Sequence, residues 1–105
     1  MNINDYLKGC LRTWDCGNHR VTRAILGLVG EAGEVAEKYK KYLRGDYEVI
    51  RNDPAIMKEL GDVIYYWTVL CYELGFDPAR VMETNLEKLA DRQARGKIKG
   101  DGDER

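Results

Sequence analysis

The sequence has little of what several protein classes need. Its 105 residues contain one histidine and three cysteines, with no Cys-x-x-Cys pair, so a structural zinc site has almost nothing to be built from. No apolar run approaches the roughly 20 residues that span a bilayer, and the N-terminus lacks the basic start and apolar stretch of a signal peptide. We therefore expect a cytoplasmic protein that does not bind membranes, and we expect its cysteines to be free thiols.

Charge of one sign is also lacking. The 17 basic and 18 acidic residues give a formal net charge of -1, so there is no electrostatic reason to expect a nucleic-acid partner. Hydrophobic residues make up 44% of the chain and charged residues 33%, which is typical of a soluble globular protein. The length predicts a single domain, and a domain this small leaves room for partner chains to complete its core.

Only two prolines are present, and both follow an aspartate. Asp53-Pro54 and Asp77-Pro78 are typical helix starts, with the aspartate as N-cap and the proline at the first helical position. Gly45 and Gly75 are expected to lie just beyond helix ends. The predicted helices span about residues 3–13, 21–43, 54–74 and 78–94. We predict that residues 1–94 form one domain and that 95–105, rich in Gly, Lys and Asp, form an extended or flexible tail.

Strand signals are almost absent. The best candidate, residues 47–50, is too short and isolated to build a sheet, whereas the rest of the chain follows a helical period. On a wheel of about 100° per residue, two helices carry apolar stripes: Val21, Ile25, Leu28, Ala32, Val35, Ala36, Tyr39 and Leu43; and Ile56, Leu60, Val63, Trp67, Leu70, Cys71 and Leu74. The prediction is an all-α bundle of about four helices, completed by oligomerisation.

Two pairs of acids lie beside these stripes. Glu31 and Glu34 flank the first stripe, and Glu59 and Asp62 flank the second. Residues three apart on a helix are neighbours, so each pair can grip one hard cation. If the flanks face each other, the carboxylates converge and repel unless a cation such as Mg²⁺ neutralises them. The alternative is that these acids simply form a solvated helix face. That is the usual explanation of one isolated pair, and two matched pairs argue against it.

Glycine accompanies both acid pairs. Gly27, Gly30, Gly33 and Gly61 lie inside predicted helices, where each costs roughly 0.8–1 kcal/mol relative to alanine. Gly27 lies on the same side of the wheel as Glu31. Its missing side chain is expected to admit a ligand or a neighbouring helix there.

These segments together resemble a known family. The run from Leu26 to Glu37, followed after a spacer by the run from Glu59 to Ile64, resembles the Glu-x-x-Glu and Glu-x-x-Asp signature of the MazG-like nucleotide pyrophosphohydrolases. The resemblance extends from about Tyr6 to the C-terminus, including the run from Asn85 to Arg92. Many relatives carry a further acid where this chain has Gly30, so any role of that acid is in doubt here.

The resemblance implies a concrete chemistry. Such proteins are all-α dimers or tetramers that require Mg²⁺, which Mn²⁺ can replace. They cleave a nucleoside triphosphate between the α and β phosphates to give the monophosphate and pyrophosphate. The implied metal ligands and catalytic residues are Glu31, Glu34, Glu59 and Asp62. The implied substrate-binding residues are Lys38, Asn85 and Lys88, to which the phosphate-binding chemistry of guanidinium adds Arg92.

Three alternatives compete with this interpretation. A di-iron carboxylate bundle needs Glu-x-x-His pairs, and because His19 lies outside both acid pairs we reject it. A non-enzymatic helical interaction module predicts no Mg²⁺-dependent hydrolysis. A same-fold relative with another substrate, such as a dUTP or dCTP hydrolase or a phosphoribosyl-ATP pyrophosphohydrolase, differs in a base pocket that the sequence does not delineate.

Overall fold

The computed structural model describes residues 1–14, 17–48, 50–96, 100 and 102–103, and in these it contains four helices and no strand. The prediction of an all-α fold is therefore confirmed. The helices are α1 (Ile3–Cys10), α2 (Arg20–Arg44), α3 (Pro54–Glu73) and α4 (Pro78–Ala94).

The helix starts follow the predicted caps. The side chain of Asp53 accepts a hydrogen bond from the Ala55 N–H at 2.9 Å, and Asp77 accepts one from Ala79 at 3.0 Å. Each cap satisfies one of the backbone donors that a helix leaves unpaired at its start. At the end of α2, Gly45 has a φ of +89°, a left-handed conformation that glycine adopts without steric cost.

The first helix ends earlier than predicted. It stops at Cys10 rather than near Thr13, because the N–H groups of Arg12 and Thr13 bond to carbonyls three residues back instead of four. The last turn is therefore tighter than an α-helix. Trp14 follows directly and turns its ring towards α3, where it meets Tyr65 and Tyr66 edge-on at 6.3 Å.

The antiparallel pair of α2 and α3 forms the main helix contact of the chain. Ala24 and Val69, both 0% exposed, form the centre of the core together with Cys10 of α1. Four aromatic side chains and one leucine, all partly buried, pack around this centre: Tyr6, Trp14, Tyr65, Tyr66 and Leu70.

The apolar stripes predicted from the wheel are only partly buried. Leu43, Leu60 and Leu74 belong to them and are 67%, 54% and 50% exposed. Ala24 and Val69, in contrast, lie towards the acid-bearing sides of their helices and are fully buried. The reason is that the acid-bearing faces of α2 and α3 turn towards each other, which leaves much of each stripe on the outside.

Two of the three cysteines bear out the expected free thiols. Cys10 and Cys71 are buried and unpaired by disulfides, and burial raises the pKa of both thiols. The prediction for Cys16 lies outside the described residues. Among the described helices, none is long and apolar enough to cross a membrane.

Candidate functional site

Three of the four predicted acids come together between α2 and α3. Glu31, Glu59 and Asp62 each place a carboxylate oxygen within 4.8 Å of the other two. Glu31 and Glu59 are half-buried, and Asp62 is exposed. One side of the cluster is therefore closed by the helices and the other is open to solvent, an arrangement that lets a small ligand reach the oxygens.

Gly27 sets the approach of the two helices at this point. A Cβ atom added to Gly27 would lie 2.3 Å from Cε1 of the Tyr66 ring, far inside van der Waals contact. Gly27 thus makes room for the Tyr66 ring of the facing helix α3. Glu31 lies one turn after Gly27 on α2 and Asp62 lies one turn before Tyr66 on α3, so the antiparallel register places Glu31 opposite Asp62.

The cluster is electrostatically unfavourable without a cation. The pKa of Glu31 is raised, first by desolvation and then by the negative charge of Asp62 and a hydrogen bond and charge from Glu59. Hard oxygen donors in this number fit Mg²⁺, which takes few protein carboxylates and completes its shell with water and phosphate oxygens. These residues are therefore suited to hold a divalent cation.

Glu34 is not a member of this group. It is exposed, although it lies near enough to raise the pKa of Glu31 further. Residues three apart on a helix differ in direction by about 60°, so when Glu31 points at α3 its partner points partly outward. Which of the two faces α3 depends on the rotation of the helix, which the Glu-x-x-Glu spacing does not specify.

The first helix contributes a residue that the sequence analysis missed. Burial raises the pKa of the Tyr6 hydroxyl to about 12, with further contributions from Cys10 and from the negative charge of Asp62. Tyr6 therefore lies near enough to Asp62 for the charge of that carboxylate to act on its hydroxyl. Its position depends on how α1 crosses α3, so no motif in the sequence signals it.

Lys38 lies near the connection between α2 and α3. Its ammonium group is 5.8 Å from the centroid of the Tyr47 ring, and its charge helps to lower the pKa of Asp53 after the larger effects of hydrogen bonds from Tyr47 and Ala55. It is half-buried. A role in binding phosphate remains a prediction.

The remaining predicted substrate residues lie on α4, which packs against α1 and α3. Asn85 is exposed, Lys88 is half-buried and Arg92 is buried. Lys88 and Arg92 both contact Asp103, which lies in the segment predicted to be an extended or flexible tail. At residue 103 the chain is therefore held against α4.

A separate groove of about 530 Å³ lies between α3 and α4, and none of the clustered acids lines it. Its walls are mainly apolar and include Trp67, Leu70, Leu74, Phe76 and Val81. The apolar groove and the acid cluster are thus separate parts of the surface.

Comparison with known proteins agrees with the geometry. The model of the MazG nucleotide pyrophosphohydrolase domain matches residues 20–96, which contain the whole of α2, α3 and α4 and all four predicted acids. The chain belongs to the MazG nucleotide pyrophosphohydrolase family. The family resemblance found in the sequence is confirmed, and Tyr6 lies on a helix outside the matched part of this MazG protein.

A phage relative covers most of the chain. The protein is 46% identical over 94 residues to the Gene 37 protein of Mycobacterium phage L5, covering 87% of this chain and 82% of the phage protein. No solved structure gives a significant match. The family model supports a nucleotide pyrophosphohydrolase, and the name of the phage protein specifies no activity.

Proposed function

We propose that this MazG protein is a Mg²⁺-dependent nucleoside triphosphate pyrophosphohydrolase. It cleaves a (deoxy)nucleoside triphosphate between the α and β phosphates and releases the monophosphate and pyrophosphate. The observation that carries the proposal is the convergence of Glu31, Glu59 and Asp62 within 4.8 Å, in a chain of this family.

The roles of the four acids follow from their positions and from the family resemblance. Glu31, Glu59 and Asp62 would hold Mg²⁺, with Mn²⁺ as a substitute, because their oxygens already converge. The cation supplies charge neutralisation on the phosphates and a lowered pKa for bound water. Glu34, which the family resemblance also assigns to the metal, is exposed and lies beside Glu31. It would in addition orient the attacking water and accept its proton as the bridge between the α and β phosphates breaks.

Cationic and polar side chains are assigned to the substrate. We assign Lys38 and Asn85 to contacts with phosphate or sugar because of the family resemblance. Lys88 and Arg92 already pair with a carboxylate in this structure, which supports their use as anion ligands.

A second copy of the chain is expected to complete the assembly as a homodimer or homotetramer. Large apolar side chains on α2 and α3 are more than half exposed, among them Leu26, Val29, Met57 and Leu60. The radius of gyration is 16.6 Å, against roughly 13 Å for a compact domain of this length. Exposed apolar surface on a chain this loosely packed is typical of a protomer that packs against copies of itself.

The test is a panel of ribo- and deoxynucleoside triphosphates, with dUTP, dCTP and phosphoribosyl-ATP included, and with the products identified. We expect monophosphate and pyrophosphate in the presence of Mg²⁺, and no turnover after EDTA. Glu59→Gln should abolish most of the activity. Glu37→Gln, which changes the same charge at an exposed position paired with Lys40 at 3.3 Å, should not.

Two results would contradict the proposal. One is the absence of turnover with every nucleotide, at protein concentrations where light scattering shows the oligomer intact. The other is release of inorganic phosphate, which would indicate hydrolysis at the γ phosphate. The absence of turnover would favour the non-enzymatic helical module, whereas equal activity of Glu59→Gln and Glu37→Gln would show that hydrolysis does not depend on Glu59.

A further inference from the structure

Two cations of α4 share one carboxylate. Lys88 and Arg92 are one helical turn apart, and both contact Oδ1 of Asp103, at 3.0 Å from Lys88 Nζ and 3.2 Å from Arg92 Nη2. Arg92 Nη2 also donates to the backbone carbonyl of Asp103 at 2.7 Å. The segment that carries Asp103 is therefore held by these two side chains.

The charges in this contact do not balance. Two positive groups face a single negative one, so the trio retains one positive charge. The Arg92 side chain is only 4% exposed, and its Nε is buried without a hydrogen-bond partner. A buried donor of a charged group that lacks a partner is costly, so Asp103 leaves the hydrogen-bonding needs of Arg92 only partly satisfied.

The Asp103 carboxylate is the exposed part of this contact. Its side chain is 79% exposed, in contrast to the buried arginine that it contacts. The preceding Gly102 has a φ of +79°, a conformation that glycine enters and leaves with little steric cost. Lys88 and then Arg92 lower the pKa of this carboxylate. It is thus a charged, solvent-facing occupant of the site, whereas the backbone carbonyl of Asp103 is bonded separately to Arg92.

We propose that Lys88 and Arg92 form a binding site for a phosphate-bearing anion, and that the carboxylate of Asp103 is its built-in competitor. A pyrophosphate group carries more negative charge than one carboxylate and offers more acceptor oxygens, so it matches the two cations better. Identifying this anion with the phosphates of substrate or product rests on the proposed function. The competition by Asp103 goes beyond it.

The test measures binding of sodium pyrophosphate by titration calorimetry in EDTA, so that no metal at the acid cluster contributes. Asp103→Asn removes the competing charge while keeping the shape of the side chain. Asp91→Asn is the matched control, because Asp91 is an exposed aspartate on α4 that pairs with Arg95 at 2.8 Å and not with the site. Lys88→Gln removes one of the two cations.

We expect Asp103→Asn to bind pyrophosphate on the order of tenfold more tightly than the wild type, as the loss of a charge-assisted hydrogen bond in competition implies. Asp91→Asn should bind like the wild type, and Lys88→Gln should bind more weakly. Asp103→Asn should melt at a lower temperature without anion, because Lys88 and Arg92 lose the negative charge that they share, and saturating pyrophosphate should restore its melting temperature.

The proposal is overturned if Asp103→Asn binds pyrophosphate no more tightly than Asp91→Asn, or if pyrophosphate does not restore its melting temperature. Either result would mean that Asp103 only stabilises the folded chain and does not compete with an anion. Hydrolysis by the wild type is recorded separately. If the wild type hydrolyses nucleotide but Lys88→Gln binds pyrophosphate as well as the wild type does, only the anion site is refuted. If Asp103→Asn binds pyrophosphate more tightly but the wild type hydrolyses no nucleotide, only the proposed function is refuted.

Discussion

Replacing Glu31 by glutamine should stabilise the metal-free protein. The three carboxylate oxygens lie within 4.8 Å of one another, and at that distance two unit charges repel by about 1 kcal/mol in a water-like dielectric and about 3.5 kcal/mol at an effective dielectric of 20. Because Asp62 is exposed, the lower value is the appropriate one. Glu31 has two such neighbours, so neutralising it should gain about 1–2 kcal/mol.

Thermal denaturation measures this gain directly. For a domain of this size, 1 kcal/mol shifts the melting temperature by roughly 4–8 °C, so a gain of about 1–2 kcal/mol should make Glu31→Gln melt roughly 4–16 °C above the wild type at neutral pH without metal. Mg²⁺ should then stabilise the wild type, since a ligand that binds only the folded state adds to its stability. It should stabilise Glu31→Gln much less.

The pH dependence follows from the raised pKa of Glu31. A carboxyl group whose pKa is higher in the folded than in the unfolded protein favours folding while it is protonated. That contribution is complete below the ordinary pKa of glutamate, about 4.3, and is lost as pH rises through the raised value. The stability difference between Glu31→Gln and the wild type should therefore widen as pH increases over this range.

Glu37→Gln is the control for both measurements. It lies on the same helix, is exposed and pairs with Lys40 at 3.3 Å, so it changes the net charge equally without touching the cluster. It should neither raise the melting temperature nor alter the effect of Mg²⁺. A wild type that is more stable than Glu31→Gln in EDTA at neutral pH would refute the reasoning, as would equal stabilisation of both by Mg²⁺.

Two further predictions concern folding. Gly27→Ala should lower stability by about 1–3 kcal/mol in urea denaturation, because its Cβ would overlap the Tyr66 ring, whereas Gly30→Ala, with open space around it, should gain up to about 1 kcal/mol of helix propensity; the opposite order would show that the helix register is wrong. Asp53→Ala should destabilise the protein at neutral pH by removing the cap on Ala55. Because the pKa of Asp53 is lowered, the difference should shrink as pH falls through that lowered value, and an effect that does not change with pH would contradict the cap.

Helix positions were predictable wherever the ends carry local chemistry. Asp53 and Asp77 accept their hydrogen bonds from the residues that the Asp-Pro pattern indicates, and α3 and α4 begin at the predicted prolines. The start of α2 has no such signal, since His19 makes no side-chain cap and adopts a left-handed conformation. The prediction there depended on periodicity and differs by only one residue from the observed Arg20.

The site was predictable in composition and less so in orientation. Spacing and the family resemblance indicated four acids, and the structure brings three of them together, with Glu34 outside the group. Local patterns determine which residues share a helix face, but the rotation of α2 against α3 depends on the contact of Gly27 with Tyr66. The roles of Tyr6 and Asp103 depend on tertiary contacts, which no local sequence pattern indicates.

The exposed apolar stripes and the acid cluster have a common cause. A helix that turns its acids towards its neighbour turns part of its apolar surface outward, as Leu60 on α3 and Leu43 on α2 illustrate, with exposures of 54% and 67%. Such an arrangement is unfavourable for an isolated chain, because it buries charge and exposes hydrocarbon. It becomes favourable if a cation neutralises the cluster and another copy covers the stripes. We therefore expect metal binding and self-association to stabilise the same fold, so that removing Mg²⁺ should also weaken the oligomer.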